Sequence, residues 1–266
     1  MTAPNPALPA TRPVSPDDLR EDERYLVEFA DRSFIGGPRS RWQELKTLIA
    51  IMRDFLRGLR KFHFAGPCVT IFGSARIKEG HPYYEMTRKA GAAVADLGFT
   101  VMTGGGPGLM EAASRGAKEA GGRSVGINII LPFEQKPNDY LDACVDMEFF
   151  FTRKTLLIKY SYAFIVMPGG LGTMDELFEA LTLIQTGKIK EFPVILMGTA
   201  YWQPIVSALI KMRDEGLISP GDLDLLRVTD SIEDAMQCVR EKAITQFNLR
   251  RVKVPKSLRI LGERSV

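Results

Sequence analysis

The segment FTVMTGGGPGLMEAASRGAKEAGG, residues 99–122, changes character at its centre. Its first part is a short apolar run, typical of a strand buried on both faces, and its second part has the apolar spacing of a helix. Glycines join the two parts. The same order of apolar run, glycine turn and helical segment returns in AFIVMPGGLGTMDELFEALTLI, residues 163–184. A strand that leads through a short turn into a helix is the repeating unit of a parallel α/β sheet.

Further apolar runs extend this pattern along the chain in both directions. They predict strands in CVTIFGS at 68–74, SVGINIIL at 124–131, VDMEFF at 145–150 and PVILMG at 193–198. Helical segments lie between several of them, the clearest from about Pro82 to Leu97. The sequence therefore predicts a Rossmann-like α/β fold, a doubly wound parallel sheet with helices on both faces, preceded by an N-terminal helical extension.

Composition divides the chain into four predicted parts. Residues 1–18 are rich in proline and predict a disordered tail, and residues 19–65 predict the helical extension. Residues 66–246 form the predicted Rossmann-like domain, whose site we expect to be built wholly from residues after Cys68, and residues 247–266 form a basic C-terminal arm.

An apolar stripe at helical spacing marks the extension. Its members are Trp42, Leu45, Leu48, Ile49, Met52, Phe55, Leu56 and Leu59. So large a stripe must be covered, either by its own α/β domain or by another subunit. We expect a role in assembly, which predicts a homodimer or a higher homo-oligomer.

Charge and cysteine content exclude several classes of protein. The 266 residues include 35 Lys and Arg against 32 Asp and Glu, an excess too small and too evenly spread to predict nucleic acid as a partner. No apolar run approaches the roughly 20 residues of a membrane span, and no signal peptide is expected. Cys68, Cys144 and Cys238 form no CxxC pair, and the two histidines cannot supply a cluster, so we expect no disulfide framework and no metal site. A cytoplasmic location follows as a prediction.

Small residues end several of the predicted strands, where ligands of parallel sheets bind. Backbone N–H groups in such turns approach anions closely and the following helix adds partial positive charge, so phosphate is the expected ligand. The loops lack the Lys-Ser/Thr of a P-loop, and no G-x-G-x-x-G follows the first strand, which disfavours an NTPase or an NAD enzyme. Tight turns alone would also explain the glycines. The candidate positions are Gly73, Ser74, Gly104, Gly105, Gly106, Gly169, Gly170, Leu171, Gly172 and Thr173.

Charged residues flank these loops, and the role of each has two possible interpretations. Thr173 and Glu176 have the spacing of a capping box, so they either cap a helix or serve the anion site, with Glu176 turned toward a sugar. Arg153 and Lys154 begin a predicted helix at the same sheet edge. They lie either on a solvated face or at a ligand, because cations at a helix N-terminus oppose the helix dipole.

Together GGGPGLMEAA, the Arg153-Lys154 pair and PGGLGTMDE resemble the LOG (LONELY GUY) family, over about Cys68 to Val239. Its members are nucleoside 5′-monophosphate phosphoribohydrolases, known for releasing cytokinin bases and long mislabelled as lysine decarboxylases. The resemblance implies that Arg153 and Glu176 are catalytic and that the protein is at least a dimer. It also implies nucleotide contacts from Lys154, from the run Gly170 to Glu176 with Met174 and Asp175, from Thr182, and from Glu134 after the third strand.

Cleavage of an N-glycosidic bond needs a carboxylate near C1′ and a held phosphate, with water as the only co-substrate and no cofactor. Glu176 suits the carboxylate role. Arg153, which is always charged, suits positioning and electrostatics. Lysine decarboxylation would require a pyridoxal phosphate lysine, and Lys154 lacks the setting of one. The alternative from another class is a non-catalytic nucleotide-binding or sensing module in which Glu176 only caps the helix.

Overall fold

The structure is a computed structural model that describes residues 30–130, 136–190 and 192–245. Its described strands are β1 Cys68–Phe72, β2 Thr100–Thr103, β3 Ser124–Ile129, β4 Ala143–Met147, β5 Ser161–Val166, β6 Val194–Met197 and β7 Leu226–Thr229. They form one sheet in the order β4-β3-β2-β1-β5-β6-β7, and every neighbouring pair is parallel. The predicted parallel sheet is confirmed, and β7 is a strand that the sequence did not predict.

Helices cover both faces of this sheet. They are α1 Ala30–Ile35, α2 Arg41–Phe62, α3 Pro82–Asp96, α4 Leu109–Glu119, α5 Phe150–Lys159, α6 Leu171–Gln185, α7 Thr199–Asp214 and α8 Ile232–Cys238, with a 3₁₀ helix at Pro220–Leu225 and a π-helical turn at Val239–Thr245. One buried cluster packs Phe62, Leu156 and Leu177 against one face. A second packs Tyr84 and Leu109 against the other. The fold is therefore the doubly wound, Rossmann-like arrangement that the sequence predicted.

The strand order reverses between β1 and β5. From β1 the chain winds outward through β2, β3 and β4, then returns to pair β5 with the other side of β1. In open α/β sheets such a switch point opens a crevice at the carboxyl ends of the two strands. The residues that follow Phe72 and Val166 therefore lie beside this crevice.

The long helix α2 docks on the sheet through a face other than its apolar stripe. Asp54, Gly58 and Phe62 are its buried positions, one helical turn apart. Only Phe55 and Leu59 of the stripe pack against the core. The rest of the stripe is exposed in the described structure: Trp42 by 64%, Leu45 by 44%, Leu48 by 58%, Ile49 by 43%, Met52 by 56% and Leu56 by 49%.

The predicted tail at 1–18, the predicted arm at 247–266 and the segment 19–29 of the extension lie outside the described residues. The division of the chain into these parts stays a prediction. Among the helices that the structure describes, none is long and apolar enough to cross a bilayer.

Candidate active site

A cleft of about 560 Å³ opens at the switch point, beside the ends of β1, β2 and β5. Its volume is that of a small-molecule site. Nine of the predicted site residues line it: Gly73, Ser74, Gly104, Arg153, Gly170, Leu171, Gly172, Thr173 and Glu176. Four further lining residues were not predicted, namely Phe72, Ala75, Arg76 and Met110.

Ser74 holds the loops of the cleft together. Its N–H donates to the carbonyl of Pro168 at 3.0 Å, and its own carbonyl accepts from the Leu109 N–H at 2.9 Å. Gly108 approaches so closely, with φ +71°, that a Cβ there would lie 2.6 Å from the Ser74 carbonyl oxygen. Only glycine fits this contact, so the turn into α4 is fixed against the loop after β1.

The helix α6 begins inside the cleft without a side-chain cap. Its N-cap is Gly170, which supplies no capping side chain, and Thr173 and Glu176 are the third and sixth residues of the helix rather than its cap. The capping-box reading is therefore wrong. The first N–H groups of any α-helix lack partners within the helix, so this N-terminus presents donors and partial positive charge to the cleft. An anion is the ligand that fits it.

The side chains of Arg153 and Glu176 lie close to each other in the wall of the cleft. Nη1 of Arg153 lies 3.6 Å from Oε1 of Glu176, and the two side chains are only 14% and 5% exposed. The Arg153 Nε donates to the Ile127 carbonyl at 2.9 Å. A Cβ at Gly104 would lie 2.5 Å from Nη2 of Arg153, so the guanidinium rests against a residue that must be small. The solvated-face reading of Arg153 is wrong.

Burial changes the acidity of Glu176. Removal from water raises the pKa of this carboxyl from its ordinary value of 4.5 to about 7, against the opposing effect of the Arg153 and Lys154 cations. Its Oε2 is buried and accepts no hydrogen bond from any residue that the structure describes. A buried carboxyl that titrates near neutral pH, with one oxygen free for a ligand, is suited to proton transfer.

Burial also lowers the pKa of the Arg153 guanidinium, while Glu176 acts in the opposite direction. A guanidinium stays protonated at neutral pH even so. Arg153 therefore supplies a fixed positive charge beside a carboxyl whose own charge changes near pH 7.

Several predicted contacts lie outside this cleft. Lys154 Nζ lies 2.9 Å from Asp175 Oδ1 and 2.7 Å from Glu179 Oε2, which fixes it along the outer side of α6. Met174, Asp175 and Thr182 line a second, more open depression on that side. These residues do not line the cleft with Arg153 and Glu176, and their part in nucleotide binding stays a prediction.

The remaining predicted positions shape the loops or fall outside the described residues. The carbonyls of Gly105 and Gly106 accept hydrogen bonds from Asn138, at 3.1 and 3.0 Å to its Nδ2. A Cβ at Gly169 would lie 2.0 Å from Thr173 Oγ1, so this glycine allows the tight entry into α6. Glu134 lies in the segment 131–135, outside the described residues.

Arg76 is the cleft residue whose omission from the sequence prediction matters most. Its N–H donates to Ser74 Oγ at 3.1 Å, and the residue lines the same cleft as the start of α6. Its position two residues after Ser74, in the loop that follows β1 at the switch point, was the feature of the sequence that could have indicated this role. A second cation on the cleft wall adds to the attraction for an anionic ligand. Within the described part of the chain, no group of three or more His, Cys, Asp or Glu side chains is arranged to hold a metal ion.

The fold and the cleft define a doubly wound α/β protein whose small-molecule site pairs a buried carboxyl with an arginine. A family model described as "possible lysine decarboxylase" matches residues 110–239. The cytokinin riboside 5′-monophosphate phosphoribohydrolase of Mycobacterium tuberculosis is 32% identical over 155 residues, which cover 58% of this chain and 83% of that enzyme. The chain belongs to this LOG family of phosphoribohydrolases, and the resemblance seen in the sequence is confirmed.

A second relative agrees with this placement, and a solved structure agrees with the fold. The enzyme of the same name from Rhodococcoides fascians is 31% identical over 179 residues, covering 65% of this chain and 88% of that enzyme. The solved structure of a molybdenum cofactor binding protein from Rippkaea orientalis is 24% identical, with a TM-score of 0.51 over 66% of this chain and 96% of that one. This second likeness shows the fold alone.

Proposed function

We propose that the protein hydrolyses the N-glycosidic bond of a nucleoside 5′-monophosphate, AMP or a cytokinin riboside 5′-monophosphate, and releases the free base and ribose 5-phosphate. One observation carries the proposal: the buried Glu176 carboxyl faces Arg153 beside the uncapped N-terminus of α6. The names of the relatives from Mycobacterium tuberculosis and Rhodococcoides fascians support the same substrate class.

The phosphate end of the substrate is assigned to the start of α6. Gly170 and Gly172 line the cleft, and a Cβ at either would have no heavy atom within 4 Å, so open space adjoins this backbone. A phosphate bound by these N–H groups fixes the ribose at one end and leaves C1′ to be placed against Glu176.

The carboxylate of Glu176 then acts on the reacting carbon. The C1′–N bond breaks with its electron pair leaving on the base, and the sugar becomes an oxocarbenium-like cation that the carboxylate stabilises. The oxygen of water bonds to C1′, and one proton of that water passes to Glu176. The departing base takes up a proton from solvent, and Glu176 then releases its proton to solvent. Arg153 holds Glu176 and the substrate in place by charge and does not donate a proton.

The label of lysine decarboxylase does not fit the residues present. Pyridoxal phosphate chemistry would need a lysine whose amine can be neutral inside the cleft. Burial lowers the pKa of Lys154, but hydrogen bonds to Glu179 and Asp175 outweigh it, so the pKa is raised and the amine stays protonated. Lys154 also does not line the cleft.

Incubation of the protein with AMP tests the proposal. We expect adenine and ribose 5-phosphate in equal amounts, separated by chromatography and growing linearly with enzyme concentration. AMP that binds, as seen by calorimetry, but is recovered intact would overturn the proposal in favour of a nucleotide-sensing module.

The pH dependence of the reaction is expected to follow Glu176. Since the ionised carboxylate is the reactive form and its pKa is about 7, kcat/KM should fall about tenfold for each pH unit below that value. The pH–rate profile of AMP hydrolysis measures this. A rate that stays constant from pH 8 to pH 5 would contradict the role given to this carboxylate.

The free energy of unfolding should depend on pH in the opposite direction, so that it falls where the activity rises. Because the pKa of Glu176 is higher in the folded chain than its ordinary 4.5, the folded protein binds this proton more tightly than the unfolded one. Its ionisation therefore removes stability as the pH rises from about 4.5 to about 7. Thermal unfolding at pH 5 and pH 8 should show that Glu176→Gln gains stability, relative to the original protein, mainly at pH 8.

We also propose that a second copy of the chain covers the exposed stripe of α2. Trp42, Leu45, Ile49, Met52 and Leu56 follow one another at spacings of 3, 4, 3 and 4 residues, the a/d spacing of paired helices. An exposed apolar stripe with this spacing fits best against the same stripe of a second copy.

A cytoplasmic location is a further part of the proposal, supported by the three separate free thiols, Cys68, Cys144 and Cys238.

The double variant Leu48→Glu with Met52→Glu tests this contact. Both side chains are more than half exposed, so the fold should persist, while light scattering should show a smaller particle than for the unaltered protein. Lys89→Glu, an exposed position on α3, is the control for added negative charge and should leave the mass unchanged. An unchanged mass in the double variant would show that the stripe does not mediate assembly.

A further inference from the structure

The helix α5, which carries Arg153, has no capping side chain at its own N-terminus. Its N-cap is Phe149, which has no side-chain hydrogen bond to the helix, and Arg153 is its fourth residue. The unpaired N–H groups of such a start need acceptors, and a cation so near it opposes the helix dipole. Something outside α5 must therefore hold this turn.

The N-terminal extension supplies that acceptor. Asp54 of α2 is fully buried, and its Oδ1 and Oδ2 accept from the Glu148 N–H at 3.2 and 3.3 Å. Oδ2 also accepts from the Phe149 N–H at 3.3 Å and from the Thr152 hydroxyl at 2.5 Å. One carboxylate thus binds three donors in the turn that leads directly to Arg153, from a position 98 residues earlier in the chain than Thr152.

A second carboxylate from the extension completes the arrangement. Asp31 of α1 accepts a hydrogen bond at 2.9 Å from the N–H of Phe150, which is the first residue of α5. Burial raises the pKa of Asp31, the Phe150 N–H opposes this, and the nearby Asp54 adds to the rise. Asp54 of α2 therefore holds the two N–H groups just before α5, and Asp31 of α1 holds the first N–H of the helix itself.

The contact between α2 and α5 is close as well as polar. A Cβ at Gly58 would lie 2.2 Å from Leu156 Cδ1, so α2 crosses α5 where it has no side chain. Arg57 anchors the same region, with Nη1 at 3.7 Å from Asp54 and Nη2 at 3.0 Å from Glu148. The neighbouring cation offsets part of the cost of burying Asp54.

We propose that Asp54 is a positioning residue for the hydrolysis: it fixes the first turn of α5 and so holds the Arg153 guanidinium against Glu176. The inference rests on the proposed function and extends it to the N-terminal extension. All the residues that line the cleft lie after Cys68, and the extension acts from outside it, because the turn before Arg153 takes its acceptors from α1 and α2.

Three variants of the full chain test the proposal. Asp54→Asn removes the charge, Thr152→Val removes the hydroxyl donor while keeping the volume, and Asp31→Asn weakens the same turn from a less buried site. We expect kcat for AMP to fall about 10- to 100-fold in Asp54→Asn, with KM little changed because Asp54 does not line the cleft. Amide exchange at residues 148–153 should become faster in the same variant, and by a smaller amount in the other two.

A helix cap elsewhere separates positioning from a general loss of stability. Ser231 accepts from the Asp234 N–H at the start of α8, so Ser231→Ala removes a cap that is not in the cleft. Its kcat should match that of the original protein.

Two results would overturn the proposal: unchanged exchange at 148–153 in all three variants, or faster exchange with an unchanged kcat. An original protein that cleaves no nucleoside monophosphate would instead overturn the proposed function. The exchange measurement would then still decide whether Asp54 fixes this turn.

Discussion

Replacement of Glu176 by glutamine is expected to lower kcat for AMP hydrolysis by about 10²- to 10⁴-fold, the usual contribution of a proton-transferring side chain. The amide keeps the size of the carboxyl but can neither stabilise the sugar cation by charge nor accept a proton from water. The fold should be retained, because Glu176 does not cap α6 and its Oε2 accepts no hydrogen bond within the described structure.

The measurement pairs initial rates with AMP binding by calorimetry. Binding should persist, since the phosphate is assigned to the start of α6 and not to the carboxyl. Glu215→Gln, the same chemical change just beyond the exposed end of α7, is the matched control and should leave the rate unchanged. Full turnover in Glu176→Gln would eliminate this residue as the catalytic carboxylate.

AMP should be cleaved about 10²- to 10⁴-fold more efficiently than adenosine in terms of kcat/KM. The range corresponds to two hydrogen bonds to a charged phosphate, each contributing about 1.5–3 kcal/mol, with about 1.4 kcal/mol per tenfold in rate. Those bonds lie far from C1′, so their energy is used to hold the reacting carbon against Glu176. Parallel assays of the two compounds at the same enzyme concentration measure the ratio.

A methyl group placed in the proposed phosphate site sharpens this test. Gly172→Ala adds a Cβ with no heavy atom within 4 Å, inside a helix where alanine is favoured, so folding should not suffer. The efficiency on AMP should fall while the slow reaction of adenosine stays the same. Gly221→Ala, whose added Cβ also meets nothing within 4 Å, is the matched control outside the cleft. Equal rates on AMP and adenosine in the original protein would exclude a phosphate site at the start of α6.

Most of the sheet could be predicted from the sequence, because strands buried on both faces appear as continuous apolar runs. The strand β7, LRVT at Leu226–Thr229, escaped prediction for a physical reason. It lies at the edge of the sheet, and only Thr229 at its end is buried, so no apolar run marks it. The N-terminal extension was predicted in part. α2 is a helix, as expected, but most of its apolar stripe does not lie on the face that packs against the sheet.

The sequence by itself determined the order of strands and helices, the glycine turns at the strand ends and the presence of Arg153 and Glu176 in motifs that resemble one family. These features are local, since each depends on a few neighbouring residues whose spacing matches a strand, a turn or a helix. The tertiary structure decided what joins distant parts of the chain: the raised pKa of Glu176, its pairing with Arg153, and the buried Asp54 that holds the turn before Arg153. These depend on burial and on contacts between residues up to 98 positions apart, which no local periodicity encodes.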